Sequence, residues 1–262
     1  MTKKKQFLRS LMVHGFVLAI TLMVFGFFEG RPLVLAQDAK ELLKRVDRLY
    51  RSDSSHAEME MEVITENWER TMRMEVWTRG MERTLIKLLA PRKDRGIKTL
   101  KLDTQMWNYF PKINKVLKVP PSMMMSSWMG SDFTNDDLVR ENTLADDHHA
   151  RVIDHPEAPG EFHHIELVPL EDTVTVWGKI TITIRRDDLM PVRQVYFDER
   201  GEKKRVMEFS DVREMGGRLF PAVMEMKTLG KNSRTLIRYL SLEFDPELSE
   251  NLFSFSQLRK RN

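Results

Sequence analysis

The 262-residue sequence predicts an α+β chain that is mainly antiparallel β, with one helix ahead of the first strand. Three observations carry that expectation. Apolar and polar residues alternate with a period of two in short runs from Ala57 almost to the C terminus. A 3.6-residue apolar stripe occurs once, between Asp38 and Tyr50. Tight-turn signals separate the alternating runs, with no helical pattern between most of them, as in a meandering sheet or barrel.

Residues 1–36 read as an address. Lys3-Lys4-Lys5 precedes an uncharged apolar run from Leu11 to Phe28, and Val34-Leu35-Ala36 places small or modest residues where a signal peptidase reads. An uncleaved anchor is the competing reading, since 18 apolar residues just reach a membrane-spanning length. Both readings export residues 37–262, expected as a single domain, to a periplasmic location. No cysteine is present, so neither a disulfide nor a lipidated cysteine is expected. Five of the 42 Lys and Arg and one of the 39 Asp and Glu lie in residues 1–36, which leaves 37 bases against 38 acids. That balance excludes a generally basic nucleic-acid binder. The 41% hydrophobic content and five Trp exclude a disordered chain.

Asp38 is the expected start of the helix, with Glu41 at capping-box spacing. Ala39, Leu42, Leu43, Val46, Leu49 and Tyr50 form its apolar stripe, and Ser52 to Ser55 end it. Strands are then expected over Ala57–Val63, Met72–Trp77 and Glu82–Leu89, and more briefly over Lys98–Leu102, Met106–Phe110 and Ile113–Val119. In the first, Glu58, Glu60 and Glu62 make one face wet while Met59, Met61 and Val63 make the other dry. Pro120-Pro121 breaks the pattern, and the following segment is expected to be a loop with one or two short helical turns. Seven more strands follow: Asn142–Asp154, Phe162–Leu170, Gly178–Arg186, Val192–Phe197, Lys204–Val212, Leu219–Thr228 and Thr235–Phe244. Pro246–Leu258 reads as a helical turn and tail, with Arg259-Lys260-Arg261 fraying.

Methionine supplies the candidate ligand-binding surface. Met59, Met61, Met72, Met74, Met224 and Met226, with Val76, fall on the apolar faces of strands, where they are either core filler or a deformable lining for an acyl chain. Met123, Met124, Met125 and Met129 surround Trp128 in the central segment. Three consecutive Met in a loop cannot all point inward, which suggests a lid or contact site. On that reading, Met124→Asp and Trp128→Asp impair cargo handling more than stability. Arg92, Lys93 and Arg95 make a basic loop that is either a docking edge for a membrane or partner or a solvated turn.

Enzyme chemistry finds little support. His148, His149, His155, His163 and His164 cluster in sequence but match no metal template, and neighbouring strand residues point to opposite faces. Ser131-Asp132 is not a nucleophile elbow. Gly130 suits a tight turn, and Asp132 or Thr134 caps a short helix through Asp137. No catalytic residue, metal or cofactor is expected.

Trp107-Asn108-Tyr109-Phe110-Pro111 and Ser127-Trp128-Met129-Gly130-Ser131-Asp132-Phe133-Thr134-Asn135-Asp136-Asp137-Leu138 resemble motifs of the outer-membrane lipoprotein-sorting (LolA-like) carriers, in the branch with an F-M-G-S-D-F-T-x-x-D-L pattern. Trp128 stands where that family usually has Phe, and Asn108 interrupts a usually aromatic or aliphatic position. The resemblance implies a curved, incomplete β-barrel with an N-terminal helix and short lid helices over its concave face. It implies a monomeric periplasmic chaperone that shields lipoprotein or lipid acyl chains between an inner-membrane transporter and an outer-membrane acceptor. Its alternative is an accessory subunit of an inner-membrane RND-type lipid exporter. The motif residues it singles out are Trp107, Tyr109, Pro111, Gly130, Ser131, Asp132, Phe133 and Asp137.

Overall fold

The computed structural model describes residues 31–140, 144–153, 160–173 and 175–260. The predicted leader lies outside them up to residue 30, and so does His155. Within the described residues no helix is long and apolar enough to cross a membrane.

Helix α1 (Arg31–Arg51) begins seven residues before the expected start. Pro32 falls in the first turn, where a missing N–H costs nothing, and no breaker lies between it and Asp38. Asp38 therefore lies within the helix and not at its start. Ser52, at φ +59°, ends the helix in a left-handed residue. Ala39 and Leu43 are buried, and Leu42 and Val46 pack beside them. Leu49 departs from the expected stripe at 41% exposure.

Thirteen strands make one sheet: β1 (Ser54–Ile64), β2 (Glu69–Arg79), β3 (Arg83–Ala90), β4 (Lys98–Leu102), β5 (Gln105–Phe110), β6 (Lys115–Lys118), β7 (His148–Ile153), β8 (Phe162–Pro169), β9 (Lys179–Arg185), β10 (Pro191–Phe197), β11 (Lys203–Met215), β12 (Arg218–Thr228) and β13 (Ser233–Phe244). Every predicted strand has its counterpart. The expected Asn142–Asp154 strand is shorter, with residues 142, 143 and 154 outside the described set and a turn before His148.

The spatial order is β6-β5-β4-β3-β2-β1-β13-β12-β11-β10-β9-β8-β7. Apart from β6 and β7, which do not pair, consecutive strands are hydrogen-bonded neighbours, and β1 pairs antiparallel with β13 to join two meanders into one sheet. The free edges are β6 and β7. The sheet is open, and the chain from β6 to β7 has to travel between its two edges. That topology carries the Met-rich segment over the concave face.

Period two has sorted the faces. Concave positions supply two clusters: Ile165, Leu167, Ile180, Ile182, Ile184 and Met207 under α1, and Met61, Met72, Met74, Ile86 and Leu88 around Trp128. Convex positions carry cross-strand charges: Arg238–Glu62 at 2.8 Å, Lys87–Glu75 at 3.6 Å, Lys227–Glu208 at 3.0 Å, and Arg73–Glu58. Surface pairs of this kind are each worth about 0–1 kcal/mol, so they favour the register more than they hold the fold.

One convex patch is apolar. Leu85, Leu100 and Tyr109 would face water, but Phe253 and Leu258 cover them. These two come from a 3-10 turn (Glu250–Phe253) and a short helix α3 (Phe255–Arg259), whose N-cap Ser254 accepts from the Gln257 amide. Lys98, 4% exposed, reaches across and donates to the carbonyls of Gln257 at 3.0 Å and Lys260 at 2.7 Å. The tail expected to fray is thus docked as far as Lys260.

At the β7 edge, Glu166 on β8 accepts from Arg151 on β7 at 2.7 Å and lies 3.3 Å from Lys179 on β9. Burial pushes its pKa up, but Arg151 and Lys179 outweigh burial and hold it below the usual Glu range. A depressed carboxylate stabilises the fold above its unfolded pKa of about 4.3 and loses that contribution as pH falls through its lower folded pKa. Glu166→Gln should therefore lower the melting temperature clearly at pH 7 and by much less at pH 3. Equal shifts at the two pH values would refute the assignment.

Candidate functional site

The concave face encloses a cavity of about 230 Å³. Its walls come from both meanders and from α1. Met59, Met61, Met74 and Val76 line it from β1 and β2, and Met224 lines it from β12. Trp128 and Phe133 reach in from the segment that crosses between the edges. Tyr50 of α1, Phe209, Phe220, Ile237 and Tyr239 also line it.

Most polar atoms at this surface are bonded to one another. Ser55 and Thr78 share a hydroxyl hydrogen bond of 2.7 Å, and the Tyr196 hydroxyl donates to Gln194 at 2.8 Å. Burial, and then the charge of Asp188, pushes the Tyr50 phenol up to about 12, so it stays neutral. A wall of methionine and aromatic carbon with paired polar atoms can sequester an apolar chain.

The crossing segment is built from local rules. Pro121–Met123 is a 3-10 turn, and Asn135–Arg140 is helix α2. Between them Ser127 and Thr134 form a β-bridge. Met129 and Gly130, at φ +53° and +84°, occupy the two central positions of the turn from Trp128 to Ser131, where the Ser131 amide donates to the Trp128 carbonyl at 3.0 Å. Two consecutive left-handed residues are the type I′ pattern, which tolerates glycine best. This turn aims Trp128 and Phe133, 4% and 5% exposed, down into the two apolar clusters.

Three polar anchors hold the segment down. Asp132 accepts hydrogen bonds from Thr228 and Ser233 at 2.6 Å each and from Thr235 at 2.8 Å, on the β12–β13 hairpin. Thr134 accepts from the Asp137 amide while Asp137 accepts from the Thr134 amide, so Thr134 caps α2 and Asp132 does not. Asp137 also accepts from Arg205 of β11 at 2.9 Å. Arg205 is 4% exposed and lies 5.2 Å and 4.9 Å from the ring centroids of Trp177 and Tyr196. The Trp128 indole N–H donates to Thr99 at 3.3 Å.

The remaining predicted residues fall elsewhere. Met72 and Met226 are buried in the two apolar clusters and do not line the cavity. Met123 and Met125 are 51% and 36% exposed, and Met124 is half-buried. Met129 packs beside the Trp128 cluster and accepts from Arg70 through its carbonyl. Trp107, Tyr109 and Pro111 lie away from the cavity. Tyr109 belongs to the convex cluster, Trp107 meets Phe255 edge-on with ring centroids 5.0 Å apart, and Pro111 lies against Gly96. Arg92, Lys93 and Arg95 are exposed, with Arg95 also donating to the Leu89 carbonyl.

The Ser131 hydroxyl is committed to the Trp128 carbonyl at 2.7 Å. His148 and His149 open β7 on opposite faces, and His164 meets the Thr183 hydroxyl at 3.2 Å. Among the described residues no three His, Asp or Glu converge as a metal site would require. Sequence reasoning missed Arg205 and the β11–β13 aromatics. The aromatics had a signal in their alternation, whereas Arg205 had none beside Lys203 and Lys204.

A family model described as an uncharacterized protein matches residues 80–260. No curated protein matches the sequence. Among solved structures, the fold is similar to that of a DUF1329 family protein from Desulfovibrio piger. The TM-score is 0.78 at 21% identity, over 86% of this chain and 99% of that one. It is also similar to a domain from Vibrio parahaemolyticus described as an outer membrane lipoprotein-sorting protein (TM-score 0.76, 18% identity, 86% of this chain and 100% of that one). A LolA superfamily protein from Nitrosomonas europaea gives a TM-score of 0.71 at 17% identity, over 84% and 98% of the two chains. These likenesses show the incomplete-barrel fold expected from the sequence.

Proposed function

Because this chain belongs to the DUF1329-like family, and its open sheet wraps an apolar cavity under a crossing segment, we propose that it is a non-catalytic carrier of acyl chains. The cavity carries the reading: about 230 Å³, walled by Met59, Met61, Met74, Val76 and Met224 and covered by Trp128. Burying acyl carbon is worth about 0.8 kcal/mol per CH2, so one tail binds without any chemistry. Methionine walls re-pack around tails of different shape. The exposed Met123 and Met125, with half-buried Met124 and Met129, form the outer surface of the lid.

The location is the periplasm, reached through the export signal in residues 1–36. The chain works as a monomer between an inner-membrane transporter and an outer-membrane acceptor. Two similar folds whose names refer to lipoprotein sorting and to the LolA superfamily support the cargo class. So does the likeness of residues 127–138 to the lipoprotein-sorting motif.

Native mass spectrometry of the protein purified from cells should show bound acyl lipid. Met224→Trp, which fills the cavity from a half-buried wall position, should reduce that lipid more than tenfold while the melting temperature moves by only a few degrees. Repeated preparations without lipid, together with no uptake of a labelled phospholipid, would sink the proposal.

A further inference from the structure

The hairpins at the end of the sheet beside the crossing segment expose large apolar side chains next to a surplus of positive charge. Trp68 caps the β1–β2 hairpin at 45% exposure, Ile113 the β5–β6 turn at 59%, and Met123 and Met125 the lid at 51% and 36%. These elements touch one another. Gly130 sits against the Trp68 ring, Gly96 sits against Pro111, and Arg70 joins Asp94 at 2.5 Å to the Met129 carbonyl at 3.3 Å.

Charge on this rim is one-sided. In residues 65–69, 91–96 and 111–115 the exposed charges are five bases, Arg92, Lys93, Arg95, Lys112 and Lys115, against Glu66 and Glu69. The one acid of the basic loop, Asp94, is neutralised by Arg70. Residues 120–131 hold no charge at all. A soluble surface gains nothing by exposing an indole and two thioethers there. An interfacial one does, because Trp favours the headgroup level of a bilayer while Lys and Arg meet anionic lipid.

We propose that this rim is a membrane-docking face that seats on an anionic phospholipid bilayer, with Trp68, Ile113, Met123 and Met125 entering the headgroup region and the basic loops on the phosphates. The occupant is a bilayer and not a protein groove. The apolar groups are scattered on separate loop tips around a charged collar, an arrangement that a fluid headgroup layer receives tip by tip. The proposal deepens the carrier reading on which it rests, since it presses the lid against the surface where cargo is exchanged.

The test uses the exported, purified chain and vesicles brominated in the acyl region, either phosphatidylcholine alone or mixed with phosphatidylglycerol. Subtracting the Trp68→Phe signal isolates Trp68 from Trp77, Trp107, Trp128 and Trp177, of which Trp128 lines the cavity. Trp68 should be quenched on phosphatidylglycerol vesicles and not on phosphatidylcholine, and 0.5 M NaCl should weaken the effect. Replacing Arg92, Lys93 and Arg95 together by Gln should raise the lipid concentration for half-quenching on the order of 100-fold. Unquenched Trp68, or a triple variant that quenches like the parent, overturns the docking face. Bound lipid in the mass spectrum without Trp68 quenching overturns docking and leaves the carrier. Trp68 quenching by a chain that never holds lipid overturns the carrier and leaves docking.

Discussion

Asp137→Ala is expected to lower the stability of the fold by about 3–5 kcal/mol in urea unfolding. The carboxylate is the ion-pair partner of Arg205, which is 4% exposed, so its removal leaves a buried guanidinium facing two rings and a thioether. The same carboxylate accepts from the Thr134 amide, a bond that Thr134→Ala retains; that variant removes only the reciprocal cap, the Thr134 hydroxyl accepting from the Asp137 amide, at about 1 kcal/mol. Replacing both charges, as Asp137→Leu with Arg205→Met, should be less damaging than Asp137→Ala alone. A buried pair exchanged for well-packed apolar groups is often neutral or better. A single variant within about 0.5 kcal/mol of the parent would refute the latch.

Trp128→Ala should cost about 3–5 kcal/mol as well, through lost burial and an enlarged cavity. Trp128→Phe should cost about 1 kcal/mol. Phe retains most of the volume, and the Thr99 hydroxyl still donates to Asn108 at 2.7 Å. The enlarged cavity of the Ala variant should admit a small apolar dye that the parent excludes. This revises the forecast drawn from sequence. An acidic residue at 128 would strike the core before it touched cargo handling, while Met124→Asp, at a half-buried position, remains a test of the lid alone. A Trp128→Ala protein as stable as its parent would show that the indole is a loose flap and not part of the packed interior.

The fold was largely legible because β-sheets announce themselves locally. Strands such as Ile180-Thr181-Ile182-Thr183-Ile184 carry their burial in their own alternation, and the turns carry their own residue types. The start of α1 was misread because a good capping box at Asp38 competes with a Pro32 that begins the same helix earlier. The docked tail was misread for a different reason. Phe253 and Leu258 matter through Leu85, Leu100 and Tyr109, which lie more than 140 residues away.

The site divides along the same line. That Met59, Met61, Met74, Val76 and Met224 face inward follows from period two. That Met72 and Met226 are packed into the clusters and do not line the cavity, and that Trp107 and Tyr109 belong to the other face, does not. By itself, then, the sequence determined the strands, the dry and wet faces, the crossing segment and its motif, since each rests on residues within a few positions of one another. Only the tertiary structure decided that β1 joins β13, that the segment between two free edges must cross the concave face, and that Arg205 and Asp132 hold it there. Those are long-range pairings, and a buried charge or a filled cavity exists only once distant strands have curved together around it.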